Sequence, residues 1–197
     1  MSELNNILSS FESKFSSIKN KDDLQNLKTE FFGKNGSISL QFKKMGSLNP
    51  EERKNFAKEL NTIKDLLTHT SGLPPFRQYY LMKGSIDTRL DSIYNTEPVF
   101  DLHETMVYSD VGIIILGKIV ETISKVKLDA FVQSNIFDPL GMNNTFYNPP
   151  KEKLHRMVPT EIDPKGNLIK GYVHDENAYS IGGVAGHAGL FSKTKDL

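Results

Sequence analysis

TIKDLLTHTSGLP, Thr62 to Pro74, is the stretch on which the reading of this 197-residue chain turns. Up to Asp65 the sequence is lysine-rich and patterned for helix, and from Leu66 it is compact and punctuated by glycine and proline. The length suits one ordinary domain, or a small helical module followed by most of another. The change of texture favours the second arrangement: an α+β chain with a helical arm over residues 1–65 and a mixed unit over residues 66–197.

Toward the N-terminus, Leu4, Leu8, Phe11, Phe15 and Ile18 alternate at spacings of four and three, one stripe of an amphipathic helix that should end near Asn20. Asp22 can cap a second helix carrying Leu24, Leu27 and Phe31, closed by the turn Gly33-Lys34-Asn35-Gly36. Ser37 to Met45 reads as a short third helix. Asn49-Pro50-Glu51-Glu52 then predicts a sharp helix start: Asn caps, Pro takes the first helical position, and the acids face the positive end of the dipole. Phe56, Leu60, Ile63 and Leu67 form the apolar stripe of that helix. Antiparallel helices with one apolar face and short polar turns make a coiled-coil hairpin.

Toward the C-terminus, turn signals at Ser71-Gly72, Pro74-Pro75, Asp138-Pro139, Pro149-Pro150 and Pro164-Lys165-Gly166 set the texture of a mixed domain. Val111 to Ile123 reads as a largely buried helix, and Leu128 to Ile136 as a shorter amphipathic one.

Composition excludes several chemistries. With 24 basic and 24 acidic residues the formal charge is zero, so nucleic-acid or membrane binding has to come from a local patch. The absence of cysteine removes disulfides, thiolate metal sites and a cysteine nucleophile. His69, His103, His155, His174 and His187 show no paired spacing of the kind that holds zinc, so no metal and no cofactor is expected. MSELNNILSSFESKF lacks the basic start and apolar run of a secretory signal, and the longest apolar stretch, Val111 to Val120, is too short to span a bilayer. A cytoplasmic chain without membrane contact is the expectation.

Two family resemblances attach to these residues. Gly33-Lys34-Asn35-Gly36, Pro50-Glu51-Glu52-Arg53 and Asn61-Thr62-Ile63-Lys64 resemble, in order and spacing, the N-terminal arm of the phenylalanyl-tRNA synthetase alpha subunit. That resemblance implies a coiled coil that contacts transfer RNA, with Lys34, Lys43, Lys44 and Arg53 as candidate phosphate contacts. The aminoacylation domain that follows in that family has no counterpart after Lys64.

The motifs LLTHTSGLP (66–74), YSDVGIIILGKIVE (108–121), IFDPLGMNNTFY (136–147), PTE (159–161) and VHDENAYSIGGVAGHAGLFS (173–192) are similar to the serine beta-lactamase superfamily, in its class C and esterase branch. The implied fold is a helical region packed on an antiparallel sheet. The implied chemistry is acyl transfer by the serine of a Ser-x-x-Lys motif, with a tyrosine shuttling its proton. On this resemblance Tyr108 is the proton shuttle, and Asp110 replaces the amide that orients substrate. A carboxylate accepts hydrogen bonds and cannot donate the one that an amide gives.

Upstream, Ser16-Ser17-Ile18-Lys19 is the one Ser-x-x-Lys match, and it continues NKDDLQNLKTE where the family has a buried apolar helix. Ser16 and Lys19 are therefore read as a chance match. His69 and His187 are read as loop residues, with His174 and Asp175 in a structural loop. Three functional readings follow: a hydrolase of beta-lactams, peptidoglycan peptides or small esters, inactive as this chain; a transfer-RNA-binding fragment; and a chimera joined near Thr62 to Leu67, where both family patterns are satisfied at once.

Overall fold

The computed structural model describes residues 10, 14, 17, 21–32, 35, 36 and 49–196. Ser16, Lys19, Lys34, Lys43 and Lys44, the helix expected over residues 37–45 and most of the one over residues 4–18 lie outside them. Helix α1 spans Lys21–Phe32. Asp22 and Asp23 fall in its first turn, so Asp22 lies one place inside the helix it was expected to cap.

Helix α2, Pro50–Leu67, begins as its sequence dictates. Asn49 Oδ1 accepts from the amides of Glu51 at 3.1 Å and Glu52 at 2.9 Å, and Glu52 Oε2 accepts from Asn49 N at 3.3 Å, a complete capping box. Arg53 lies in its first turns. α2 runs without a break through residues 62–65. Asp65 and Leu66 are buried at its last turn, and Leu66 is part of the hydrophobic core. Residue 65 therefore falls in the last turn of a continuous helix, and the end of the lysine-rich segment is anchored in the core.

That core gathers Leu66, Leu73, Tyr79, Ile93, Val111, Ile114, Val173, Ala178, Ile181 and Ala185. It is built around α4, Asp110–Ser124, whose buried face carries Val111, Gly112, Ile114 and Gly117. α3, Ile86–Tyr94, adds the fully buried Ile93. At Gly117 helix α4 meets the loop at Gly186 so closely that a Cβ on Gly186 would lie 2.3 Å from the Ile113 carbonyl oxygen.

α5 occupies Leu128–Val132 and passes into a π-helical turn, Gln133–Phe137, where one amphipathic helix was expected. Ser134 Oγ donates to the Ala130 carbonyl at 2.9 Å and Asn135 Nδ2 to that of Phe131 at 2.8 Å, while Asp138 N bonds Gln133 O at 2.9 Å across five residues. Side chains that take up the helix's own carbonyls favour this wider winding.

The strands are short. β1 (Phe146–Tyr147) pairs antiparallel with β4 (Leu190–Phe191), and β2 (Glu161–Ile162) with β3 (Leu168–Ile169). The chain is thus α+β, with its sheet content in two antiparallel ladders among the described residues. α6, Glu176–Ser180, completes the set. No helix among the described residues is long and apolar enough to cross a membrane.

Candidate active site

The loop His69 to Pro75 and the start of α4 are tied to each other by their own sequence. Ser109 caps α4: its Oγ accepts from Gly112 N at 3.1 Å and donates to the Pro74 carbonyl at 2.7 Å. Asp110 N donates to the Pro75 carbonyl at 2.9 Å, and Val107 N to that of His69 at 3.0 Å. His69 adopts a left-handed backbone, φ 58°, a conformation uncommon outside glycine and worth a functional question.

That conformation aims its ring at Tyr108. His69 Nδ1 accepts the amide of Ser109 at 3.1 Å, which places the ring proton of a neutral imidazole on Nε2. The His69 and Tyr108 rings stand 4.6 Å apart, tilted by 41°. Tyr108 is held from below while remaining 64% exposed, so its hydroxyl is open to a ligand. His69 is a loop residue, as the sequence implies, with the added task of fixing the backbone and ring of the tyrosine.

Beside it, Asp110, Asp175 and His187 converge from three separate elements, with one ligating atom of each within 4.8 Å of the others. Asp175 caps α6, its Oδ1 accepting from Ala178 N at 2.7 Å and from His187 Nε2 at 2.9 Å. The His187 side chain is 3% exposed, and its Nδ1 is buried with no hydrogen-bond partner. Sequence reasoning took His187 and Asp175 as loop structure. The loop is there, and it brings both side chains to Asp110, two residues after Tyr108. The pairing was legible in principle from the HDEN and GHAG motifs lying twelve residues apart, but only the fold shows them turning back on each other.

Burial, aided by the charge of Asp175, pushes the Asp110 carboxyl above its usual value, against the opposing pull of His187 and His69. Asp175 goes the other way. Its burial is outweighed by the hydrogen bonds from His187 and the α6 amides, which hold it below the usual range. The signs differ accordingly. Asp175 contributes stability that is present above the ordinary carboxylate pKa of about 3.9 and is lost as the pH falls through its lowered value. Asp110 contributes stability that is present below that pKa and is lost as the pH rises through its raised value. Asp110→Asn should therefore melt higher than the parent at pH 7 in EDTA, and the difference should shrink as the pH drops below 4. Melting curves of the two proteins across pH 3–8 check this; a difference that grows in acid would overturn it.

An open cleft of ≈ 650 Å³ adjoins the cluster, with Tyr172, His174, Asp175, Leu190 and Phe191 in its walls. On its rim His174 Nε2 pairs with Glu161 Oε2 at 2.7 Å, both side chains about half exposed.

Residues 48–197 match the family model described as Beta-lactamase. Residues 19–70 match that of the aminoacyl tRNA synthetase class II N-terminal domain, so the two matches share residues 48–70. A protein of Salmonella heidelberg (strain SL476) assigned as a D-alanyl-D-alanine carboxypeptidase is 36% identical over 157 residues, covering 68% of this chain and 36% of that protein. Its counterpart in Salmonella schwarzengrund (strain CVM19633) is 37% identical with the same coverage. The chain thus spans 36% of the length of these curated relatives. Among solved structures, an octameric penicillin-binding protein homologue from Pyrococcus abyssi aligns with a TM-score of 0.47 at 23% identity, covering 68% of this chain and 32% of that one. A D-amino acid amidase from Ochrobactrum anthropi SV3 aligns with a TM-score of 0.47 at 23% identity, covering 68% and 40%.

Proposed function

Since the chain belongs to the Beta-lactamase family, we propose that its larger part, the unit from residue 66 that packs on the last turn of α2, carries the substrate-binding and proton-transfer half of a serine acyl-transfer site. Its substrate class is a peptide ending in D-alanyl-D-alanine, the substrate in the name of the Salmonella relatives. The observation that carries this reading is the mounting of Tyr108: open to a ligand, with its backbone and ring braced by His69. In acyl transfer such a hydroxyl takes the proton of the attacking serine and passes it to the leaving group.

The nucleophile is the missing part, and Ser16 and Lys19 do not supply it. The chain is expected to bind such peptides without turning them over. Titration with a D-alanyl-D-alanine peptide should shift the ring resonances of Tyr108 and His69, while a chromogenic cephalosporin and a nitrophenyl ester stay intact. Unperturbed rings would sink the substrate assignment, and hydrolysis abolished by Ser16→Ala would sink the inactivity.

A second reading rests on the match of residues 19–70 to the synthetase domain. In it α1 and α2 form the two arms of a coiled-coil hairpin, and Lys34, Lys43, Lys44 and Arg53 bind transfer RNA phosphates in a cytoplasmic protein. A salt-dependent gel shift with transfer RNA supports it, and no shift at 50 mM salt removes it. The overlap of the two family matches over residues 48–70 favours a chimera joined there; single-molecule reads of the gene across codons 48–70 decide it.

A further inference from the structure

We propose that Arg156 is a specificity-determining residue of the open cleft, taking a carboxylate on the acyl side of the peptide substrate; the inference rests on the acyl-transfer reading above. A peptide ending in D-alanyl-D-alanine leaves one alanine beyond the bond to be cut, so the rest of the peptide lies on the acyl side. The cleft of ≈ 650 Å³ is of a size that takes a whole small ligand, more than that one alanine fills. Asp175 stands in its wall, and a carboxylate oxygen of Asp175 lies within 4.8 Å of one of Asp110, two residues after Tyr108. The cleft is thus next to the reacting end without containing Tyr108, the place for acyl-side residues.

Arg156 is the one lysine or arginine among the described residues that line the cleft. It ends the 3₁₀ turn Lys151–Arg156, and its guanidinium makes no ion pair with a described residue. Nη1 donates to Asn144 Oδ1 at 3.1 Å, and Asn144 is itself fixed, its amide donating to Asp196 Oδ2 at 2.6 Å. One hydrogen bond orients the head and leaves most of its five donors unused. The acids nearby are engaged elsewhere: Glu161 pairs with His174 at 2.7 Å, and Asp175 with His187 at 2.9 Å. Glu176, the remaining acid of the wall, is exposed and makes no ion pair with Arg156.

The walls around this positive pole are apolar, with Val158, Leu190 and Phe191 among them. An unpaired guanidinium beside such a wall suits an acidic peptide residue, its carboxylate on the planar fork and its methylenes on the apolar side chains. Lys153, in the same turn, does not compete for that carboxylate. Its Nζ donates to the Asn143 carbonyl at 3.0 Å and stands 4.8 Å from the centre of the Phe146 ring, and Lys153 is not among the residues that line the cleft.

The test titrates the full chain with acetyl-Glu-Ala-D-Ala-D-Ala and with acetyl-Gln-Ala-D-Ala-D-Ala, which differ by one carboxylate. Calorimetry should find the glutamyl peptide about fivefold tighter, as one exposed charge pair allows. Arg156→Gln should erase that preference and leave the affinity for the glutaminyl peptide unchanged, whereas Lys153→Gln should keep it. Equal affinities in the parent, a preference that survives Arg156→Gln, or its equal loss in Lys153→Gln each overturns the assignment. The ring resonances of Tyr108 and His69 separate this from the acyl-transfer reading. A preference lost in Arg156→Gln with those rings unmoved would sink that reading and keep Arg156 as a carboxylate site; moved rings with equal affinities would do the reverse, and no binding of either peptide overturns both.

Discussion

Gly186→Ala should strongly destabilise this chain. The added Cβ would sit 2.3 Å from the Ile113 carbonyl oxygen, 3.2 Å from its carbonyl carbon and 3.3 Å from Gly117 N. All three are backbone atoms of α4, which has no soft side chain to yield. Gly117 faces the same contact from the other side, its own Cβ position lying 3.1 Å from Gly186 N. The loop must therefore lift off the helix, opening the core at the neighbouring buried Ala185. Overpacking of a filled core costs about 1–3 kcal/mol and more where backbone must move. A loss of about 3 kcal/mol corresponds to a fall in melting temperature of roughly 6–12 °C for a domain of this size. The same displacement carries His187 away from Asp175, so its ring resonances should move as well. A variant that melts within about 2 °C of the parent would show that the loop does not rest on α4.

The second large effect belongs to Asn177. It is 1% exposed, and both ends of its amide are used: Oδ1 accepts from Tyr80 N at 3.1 Å, and Nδ2 donates to the Arg77 carbonyl at 2.8 Å. These two bonds join α6 to a loop about a hundred residues earlier in sequence. Asn177→Leu keeps the volume and removes both, stranding the Tyr80 amide, while the Arg77 carbonyl still accepts from Tyr79 N at 3.0 Å. One buried unsatisfied donor costs about 1–3 kcal/mol, so a loss of that size is expected. Urea denaturation should show a lowered midpoint with an unchanged slope. A loss below about 1 kcal/mol would mean that water reaches the Tyr80 amide.

Legibility differed along the chain for physical reasons. Local chemistry was readable: the Asn49 capping box and the buried face of α4 follow from neighbours in sequence, and the structure has both. The π-turn after Val132 was not, because it depends on whether Ser134 and Asn135 turn their side chains onto the helix carbonyls. Tyr108 and Asp110 were found by motif. The brace that His69 provides was invisible, since it requires a left-handed residue forty positions away from the amide it holds. The convergence of Asp110, Asp175 and His187 was equally hidden, because residues brought together from distant elements leave no period in the sequence.

One consequence of α2 remains. From Pro50 to Leu67 it is a single helix, its last turn locked by the buried Asp65, which takes a hydrogen bond from Thr70 Oγ1 and pairs with His103 at 2.7 Å. Such a rod is a protractor as much as a tether. Each residue turns what precedes it by about 100° and shifts it by about 1.5 Å. One alanine inserted at the exposed Asn61 would therefore rotate everything upstream by more than a quarter circle, whereas four inserted residues would nearly restore the heading. The heading of the first turn of α2 relative to its last is written as a residue count.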